Sequence, residues 1–180
     1  MIILESDNFY LRNITLDDCN ENYLSWMNDS EINRFLESRF SVHSIDSLKS
    51  FVNSMNDSDN NFLFAIIDKC SDKHIGNIKL GNVHPVHKYA DIGLIIGDKS
   101  YWNKGIATKA IGIICEYAFQ ELNLRKVFAG VYETNIGSIR AFEKNGFKRA
   151  YVKKDTYFFE GKYIDAIVFE LYNKNWVDNR

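Results

Sequence analysis

Proline is nearly absent from this sequence: Pro85 is the single one in 180 residues, where average usage would supply about nine. A Pro-rich linker or extended tail is thereby excluded. With no other break in composition, the chain reads as one domain over residues 1–180, a common domain length. Cysteine is scarce too. Cys19, Cys70 and Cys115 are odd in number, scattered and without a C-x-x-C pair, which fits neither a disulfide framework nor a zinc site; reduced, mostly buried thiols are expected. No apolar stretch approaches the roughly 18–20 residues that span a bilayer, and Met1–Asn13 lacks the basic start and long apolar middle of a signal peptide. A cytoplasmic protein without a membrane partner is expected. Positive charge is not in surplus: 22 basic against 24 acidic residues give a formal net charge of −2, so nucleic acid is not an expected partner.

What the chain does have is apolar surface to bury, with 46% hydrophobic and 14% aromatic residues, more than a disordered chain carries. Alternation through Phe9–Ile14 predicts a strand, and Thr15-Leu16-Asp17-Asp18 suits the start of a helix running to Met27. Asn28-Asp29-Ser30 breaks it before a short helix near Glu31–Leu36, and Ile45, Leu48, Val52 and Met55 recur at helical steps. The period then changes. Phe62–Ile67 and Ile75–Leu80 pair as strands across a polar turn, Gly81–Lys88 is a loop, and Tyr89–Ile96 is too apolar for an edge strand. Apolar residues at 107, 110, 111, 114, 118 and 122 make Ile106–Leu122 the clearest helix, followed by a strand Lys126–Tyr132. Asn135 caps a helix over Ile136–Lys144, Asn145-Gly146 ends it, and two strands flank a Glu160-Gly161 turn. The fold class is therefore α/β, a mixed sheet flanked by helices, with Tyr89–Tyr132 forming a parallel right-handed crossover.

The segment Tyr101–Ala110 joins a buried strand to the long helix. Amides at such a helix start are unpaired, and Gly105 removes the side chain that would keep an anion away. Two familiar phosphate motifs fail by counting. Five positions after Gly97 stands Trp102, and Lys104 precedes Gly105, so there is no P-loop; no two glycines are separated by one residue, so there is no dinucleotide fingerprint.

Four blocks occur in order: Leu11-Arg12-Asn13-Ile14 with Trp26-Met27-Asn28-Asp29-Ser30-Glu31-Ile32; Trp102-Asn103-Lys104-Gly105-Ile106-Ala107-Thr108; Asn135-Ile136-Gly137-Ser138 leading to Glu143-Lys144-Asn145-Gly146-Phe147; and Glu160–Asp165. Together they resemble the GNAT superfamily of acyl-CoA N-acyltransferases, and within it the RimJ/RimL-like branch. They match its opening strand and W-x-N-D-x-E segment, its pyrophosphate loop, its N-x-x-S…E-K-x-G-F block and its closing hairpin. The resemblance implies a mostly antiparallel sheet with a splayed parallel central strand pair. It also implies acetyl-CoA as acyl donor, its pyrophosphate on the backbone of Trp102, Asn103, Lys104, Gly105, Ile106, Ala107 and Thr108. Leu94, Ile95 and Ile96 would lie along the pantetheine, with Asn135, Ser138 and Phe142 nearby. Trp102 stands where the family usually has Arg or Gln, which leaves recognition there to the backbone.

Acyl transfer to an amine of pKa ~10.4 needs a proton acceptor. The resemblance makes Asp91 the leading candidate base, with Glu133, His84 and His87 behind it. Phe142 stands where the family often has a tyrosine, so the leaving thiolate has no phenol there; either Tyr132, a neighbouring tyrosine or solvent supplies the proton, or the thiolate leaves unprotonated. His84-x-x-His87 with Asp91 does not assemble four metal ligands, and no metal is expected. Trp26, Arg34, Phe35, Glu37, Arg39 and Phe40 fall in the region that shapes the acceptor pocket in the resembling branch. The acceptor is expected to be a primary amine on a small metabolite such as an amino sugar or its nucleotide, with a protein N-terminus or a non-catalytic CoA-binding module as alternatives. An open acidic groove would favour the protein acceptor; an enclosed pocket with an aromatic wall and an arginine would favour the sugar nucleotide. The C-terminal strand pair offers an edge for a homodimer.

Overall fold

The computed structural model describes residues 2–177. In order come β1 (Ile3–Glu5), β2 (Phe9–Asn13), α1 (Glu21–Asn28), α2 (Ile45–Asn56), β3 (Phe62–Asp68), β4 (His74–His84), β5 (Tyr89–Ile96), α3 (Ile106–Gln120), β6 (Lys126–Tyr132), α4 (Ile136–Lys144), β7 (Lys148–Phe159) and β8 (Lys162–Tyr172). The strands form one sheet in the order β1-β2-β3-β4-β5-β6-β8-β7. Every neighbouring pair is antiparallel except β5 and β6, which are parallel. The mixed, mostly antiparallel α/β architecture is the one expected.

Strand alternation divides the core between two faces. Ala90 and Ile92 of β5, with Val127, Ala129 and Val131 of β6, pack under Ala110, Ile111, Ile114 and Ala118 of α3. On the opposite face Ile95 joins Leu63, Ala65 and Ile67 beneath Tyr23, Trp26, Leu48 and Val52 of α1 and α2. Full burial of each large aliphatic side chain contributes about 1.5–3 kcal/mol, and this two-sided packing fixes which way every β5 side chain points.

Three local expectations are corrected. The first helix starts at Glu21, because the Asn20 side chain accepts from the amides of Asn22 and Tyr23 and so caps it there, leaving Leu16–Asp18 as a separate single turn. Residues Glu31–Leu36 form no helix. Asp29 Oδ1 accepts from the amides of Glu31 and Ile32 at 2.8 and 3.2 Å, and the buried Asn33 side chain donates to the Met27 carbonyl at 2.7 Å; these bonds compete with helix formation. The loop after Leu80 is shorter than expected, since β4 continues to His84 across an irregularity beginning at Gly81.

Beneath α1 lies a buried polar cluster. Arg12 clasps Asp18 with two bonds of 2.7 Å, and the Thr15 amide adds a third of 2.7 Å. Burial pushes the Asp18 carboxyl up, but the Arg12 guanidinium and the Thr15 amide outweigh it and leave the group below the usual carboxylate range. His74 lies edge-on to Trp26 at 5.0 Å, with Nε2 2.8 Å from Asn77 Oδ1 and Nδ1 3.9 Å from Asp18 Oδ1. Burial holds its imidazole below the ordinary histidine value. The unfolded chain therefore binds a proton at position 74 before the folded chain does, and stability falls as pH drops below about 6.5. The Asp18 contribution is lost at lower pH, below the carboxylate range. Urea midpoints should be flat above about pH 6.5 and decline toward pH 5, and a His74→Phe variant should lose that slope; an unchanged slope in the variant would place its origin elsewhere.

Candidate active site

β5 and β6 pair only through Tyr89↔Lys126, Ala90↔Val127 and Asp91↔Phe128. Beyond these three pairs the strands part, and a cleft of about 590 Å³ opens between Ile92–Ile96 and Gly130–Tyr132. That is within the range of small-molecule sites. The outer edges stay laddered, β5 to β4 as far as Ile96↔Gly76 and β6 to β8 as far as Tyr132↔Ala166. The inner edges thus face the cleft with backbone groups that no strand satisfies.

At the wide end the cleft meets the start of α3, where Asn103, Gly105, Ile106, Ala107 and Thr108 line it. Gly105 has φ +77°, a left-handed conformation, and nothing lies within 4 Å of the Cβ it lacks. Asn103 also has positive φ, +59°, so the chain turns sharply before coiling. The first-turn amides of α3 have no partner within the helix. Open space, orphan donors and the positive end of a 15-residue helix fit a diphosphate. The Trp102 indole N–H donates to the Ile96 carbonyl at 2.8 Å; this side chain ties the loop to the end of β5. Lys104 Nζ lies 5.2 Å from the Tyr101 ring and lines a neighbouring hollow with Asp7 and Cys70.

The wall opposite is α4. Asn135 caps it by accepting from the Ser138 amide at 3.1 Å, and Asn135, Gly137, Ser138, Arg140, Ala141 and Lys144 border the cleft. Phe142 also reaches it but is buried, packing against Phe147 and Phe169. Asn145 Nδ2 donates to the Thr108 and Ala141 carbonyls at 2.9 and 2.8 Å, joining the end of α4 to the first turn of α3. Arg140 and Lys144 escaped the sequence reading, although the i, i+4 spacing of 137, 141 and 140, 144 marks one helix face.

Tyr132 closes the far side. Its phenol donates to Glu37 and accepts from Arg39, and its ring stacks on Tyr157 at 3.8 Å. Burial, then the Glu37 carboxylate, push its pKa up to about 12. Phe35 stacks on Phe159 at 5.3 Å and meets Tyr132 edge-on at 5.6 Å. Arg39 also donates to the Phe158 carbonyl at 2.7 Å, and Arg34 pairs with Glu160 at 3.0 Å. The segment carrying Arg34, Phe35, Glu37 and Arg39 is thus fastened to the β7–β8 hairpin.

Other expected site residues lie elsewhere. Asp91 stands at the closed end of the strand pair, where it accepts from Asn82 Nδ2 at 2.5 Å and pairs with Lys79 at 3.4 Å; Ile95 is about 13 Å further along the strand. Glu133 accepts from the Asp165 amide at 3.2 Å and does not line the cleft. Trp26 is buried, and its indole fills the space a Cβ at Gly97 would need: it wedges the end of β5 and does not face an acceptor. The His84 and His87 rings lie 4.2 Å apart, tilted by 30°, and His84 Nδ1 accepts from the amides of Val86 and His87.

Residues 8–148 match the acetyltransferase (GNAT) domain family. The chain is 33% identical over 116 residues to the probable N-acetyltransferase YjcK of Bacillus subtilis (strain 168), an alignment covering 64% of each protein. It is 31% identical over 99 residues to the spermidine N(1)-acetyltransferase of Escherichia coli (strain K12), covering 55% of this chain and 53% of that one, so about half of that relative's length is spanned. Among solved structures, the Vibrio cholerae spermidine N-acetyltransferase in complex with CoA and spermine superposes with a TM-score of 0.84 at 22% identity, covering 95% of this chain and 99% of that one. The Vibrio fischeri ribosomal-protein-S5-alanine acetyltransferase gives 0.80 at 20% identity, covering 98% and 100%. The chain belongs to the acetyltransferase (GNAT) domain family, a class of acetyl-CoA-dependent N-acyltransferases.

Gly105 supplies the direct test of the anion site. Gly105→Ala adds only the strain of a side chain at positive φ, about 1 kcal/mol, and should retain acetyl-CoA binding by calorimetry. Gly105→Glu places a carboxylate in the same space and should abolish it. Equal affinity in the two variants would move the diphosphate off this loop.

Proposed function

We propose that the protein is a RimJ/RimL-like N-acetyltransferase that moves an acetyl group from acetyl-CoA to the primary amine of a small cationic metabolite, by direct attack within a ternary complex. The observation that carries the acceptor class is the charge balance beyond Tyr132. Four carboxylates, Asp29, Glu31, Glu37 and Glu160, meet three cations, and each cation is engaged: Lys99 with Asp29 and Glu31, Arg34 with Glu160, Arg39 with Tyr132 and Glu37. Paired as they are, the charged groups leave one carboxylate in excess, which favours an ammonium over a phosphate on the acceptor. The aromatic wall and arginines expected for a sugar nucleotide are present, but the arginines are spent on the protein's own carboxylates. Unphosphorylated amino sugars and polyamines fit better, and the spermidine-acetylating relative supports the latter.

When bound, acetyl-CoA supplies an acyl group activated as a thioester. The chain's own groups do the rest. Backbone donors on the open edge of β5 near Leu94–Ile96 face the cleft, where they polarise a carbonyl. Glu37 lies behind the Tyr132 phenol and outside the cleft lining, so it accepts the ammonium's proton by relay, through water, while Tyr132 and Arg39 hold its carboxylate in place. Asp91 stands at the paired, closed end of β5 and β6 and yields the role of base to Glu37, bonded to Tyr132 at the open end.

A second reading has its own observation. A groove of about 610 Å³ shares Glu31 and Arg34 with the cleft and continues past Phe40, Val42 and Phe158, giving a polypeptide acceptor somewhere to lay the residues after its terminal amine. The three unpaired cysteines suit either reading in the cytoplasm.

Thiol release from acetyl-CoA should depend on added amine and be fastest with polyamines or free amino sugars. A preference for sugar nucleotides or N-terminal peptides would overturn the acceptor assignment, and no amine-dependent release would leave a non-catalytic CoA-binding module. Glu37→Gln should lower kcat/KM by about 10²-fold or more, with acetyl-CoA affinity unchanged and the deficit shrinking as pH rises and free amine accumulates; a deficit constant with pH would exclude Glu37 as proton acceptor.

A further inference from the structure

We infer that Gly93 sets the breadth of acceptor the enzyme takes. Opposite Gly130 across the parting strands, it leaves a bare floor that admits a primary amine on a ring carbon as well as one ending a methylene chain. The inference rests on the proposed reading of the cleft as the place where acetyl-CoA meets an amine. Continued two residues beyond Asp91↔Phe128, the β5–β6 register sets Gly93 against Gly130, and both line the cleft. The strands therefore part where neither carries a side chain.

The fold itself asks for no glycine at 93. Gly105, Gly146 and Gly161 have left-handed φ. A Cβ at Gly76 would collide with the Ile95 carbonyl oxygen, and one at Gly97 with the Trp26 indole. Among the ten glycines, Gly93 alone combines ordinary φ with nothing within 4 Å of the Cβ it lacks. Its partner on β4, Lys79, leans away, with Nζ 3.4 Å from Asp91 and Cε 2.6 Å from the place of a Cβ at Gly81. A glycine inside a strand forfeits stability. Nothing in the packing offsets that cost at 93; what the bare position provides is room for a ligand.

That room lies on the acceptor side. Ala90, Ile92, Ala129 and Val131 pack toward α3, so strand alternation turns positions 93 and 130 to the opposite face, the face of Tyr132 and Phe35. The Tyr157 phenol oxygen, 3.4 Å from where a Cβ at Gly130 would be, rims the floor beside the Tyr132 ring. Side chains stand roughly perpendicular to a sheet. A methyl group at 93 would therefore rise into the acceptor side of the gap and meet the carbon that bears the amine, with the donor's phosphates on the far side of the sheet.

Steady-state kinetics with glucosamine, whose amine is on a ring carbon, and 1,4-diaminobutane, whose amines end a methylene chain, tests this. Wild-type enzyme should acetylate both. In Gly93→Ala, kcat/KM for glucosamine should fall about tenfold or more, the scale on which one methyl group counts in a closed pocket, and further than for the diamine. Acetyl-CoA should still bind by calorimetry, and the melting temperature should hold or rise, because alanine restricts the unfolded chain. Wild-type turnover of the diamine but not of glucosamine would overturn the inference. So would glucosamine turnover that is unchanged in the variant or lowered no more than the diamine's, a lower melting temperature, or lost acetyl-CoA binding. If wild-type enzyme acetylates neither amine, the primary-amine reading of the cleft fails first and takes the role of Gly93 with it.

Discussion

The rest of the structure depends on a pairing that stops: β5 and β6 are laddered for three residues and then part. Neither strand can swing across to close the gap, because each is hydrogen-bonded along its other edge, and a slip by one residue would turn its core-facing side chains to the wrong face. The end of β5 is drawn away from β6 by three further ties. Trp102 bonds the Ile96 carbonyl, Trp26 covers Gly97, and the amides of Gly97 and Asp98 donate to the Ile75 carbonyl at 2.9 and 3.2 Å. Polar groups left unpaired cost about 1–3 kcal/mol each when buried, so the open edges favour water or an extended ligand with amides of its own. Pantetheine has two such amides.

Charge is sorted along the same cleft. At the α3 and α4 end the helix start and the cations of α4 are uncommitted, which suits a polyanion. At the Tyr132 end carboxylates exceed cations and every cation is engaged. For the proposed substrates, a donor carrying phosphates and an acceptor carrying an ammonium, this sorting favours opposite ends of the cleft. The aromatic cluster of Phe35, Tyr132, Tyr157 and Phe159 joins the Arg34–Arg39 segment to the β7–β8 hairpin, so this end of the cleft is built from residues more than a hundred positions apart.

That distance explains what was legible in the sequence. β5, β6 and α4 were read to the residue, because their periodicity and caps are local; the Gly105 turn was read for the same reason. The Glu31–Leu36 helix was misread because Asp29 and Asn33 have side chains that bond backbone at short range, and apolar spacing alone does not register that competition. Trp26 was read as an acceptor residue, but it needs a glycine seventy-one positions away to lie flat against. Asp91 suited a base by position on its strand, yet Lys79 on β4 and Asn82 at the strand's irregularity were needed to see it engaged. The Tyr132, Glu37 and Arg39 contacts join β6 to a segment with no periodic pattern, so no local signal brings them together.

The missing tyrosine at 142 narrows the proton chemistry. Phe142 is packed against Phe147 and Phe169, with no hydroxyl to lend to a departing thiolate. Tyr132 is no replacement. With its pKa pushed up to about 12 by burial and Glu37, it keeps its proton, and a thiolate whose conjugate acid lies near pKa 8.5 does not take it. What Tyr132 does instead is orient: it donates one hydrogen bond to Glu37 while accepting one from Arg39, leaving the remaining lone pairs of the carboxylate for water. In the proposed reaction the proton that the amine sheds goes by relay to Glu37, and the thiolate is protonated from solvent or from that same proton. In that proposal acid and base work converge on one carboxylate, whose position is set by an arginine on its own segment and a phenol at the end of β6.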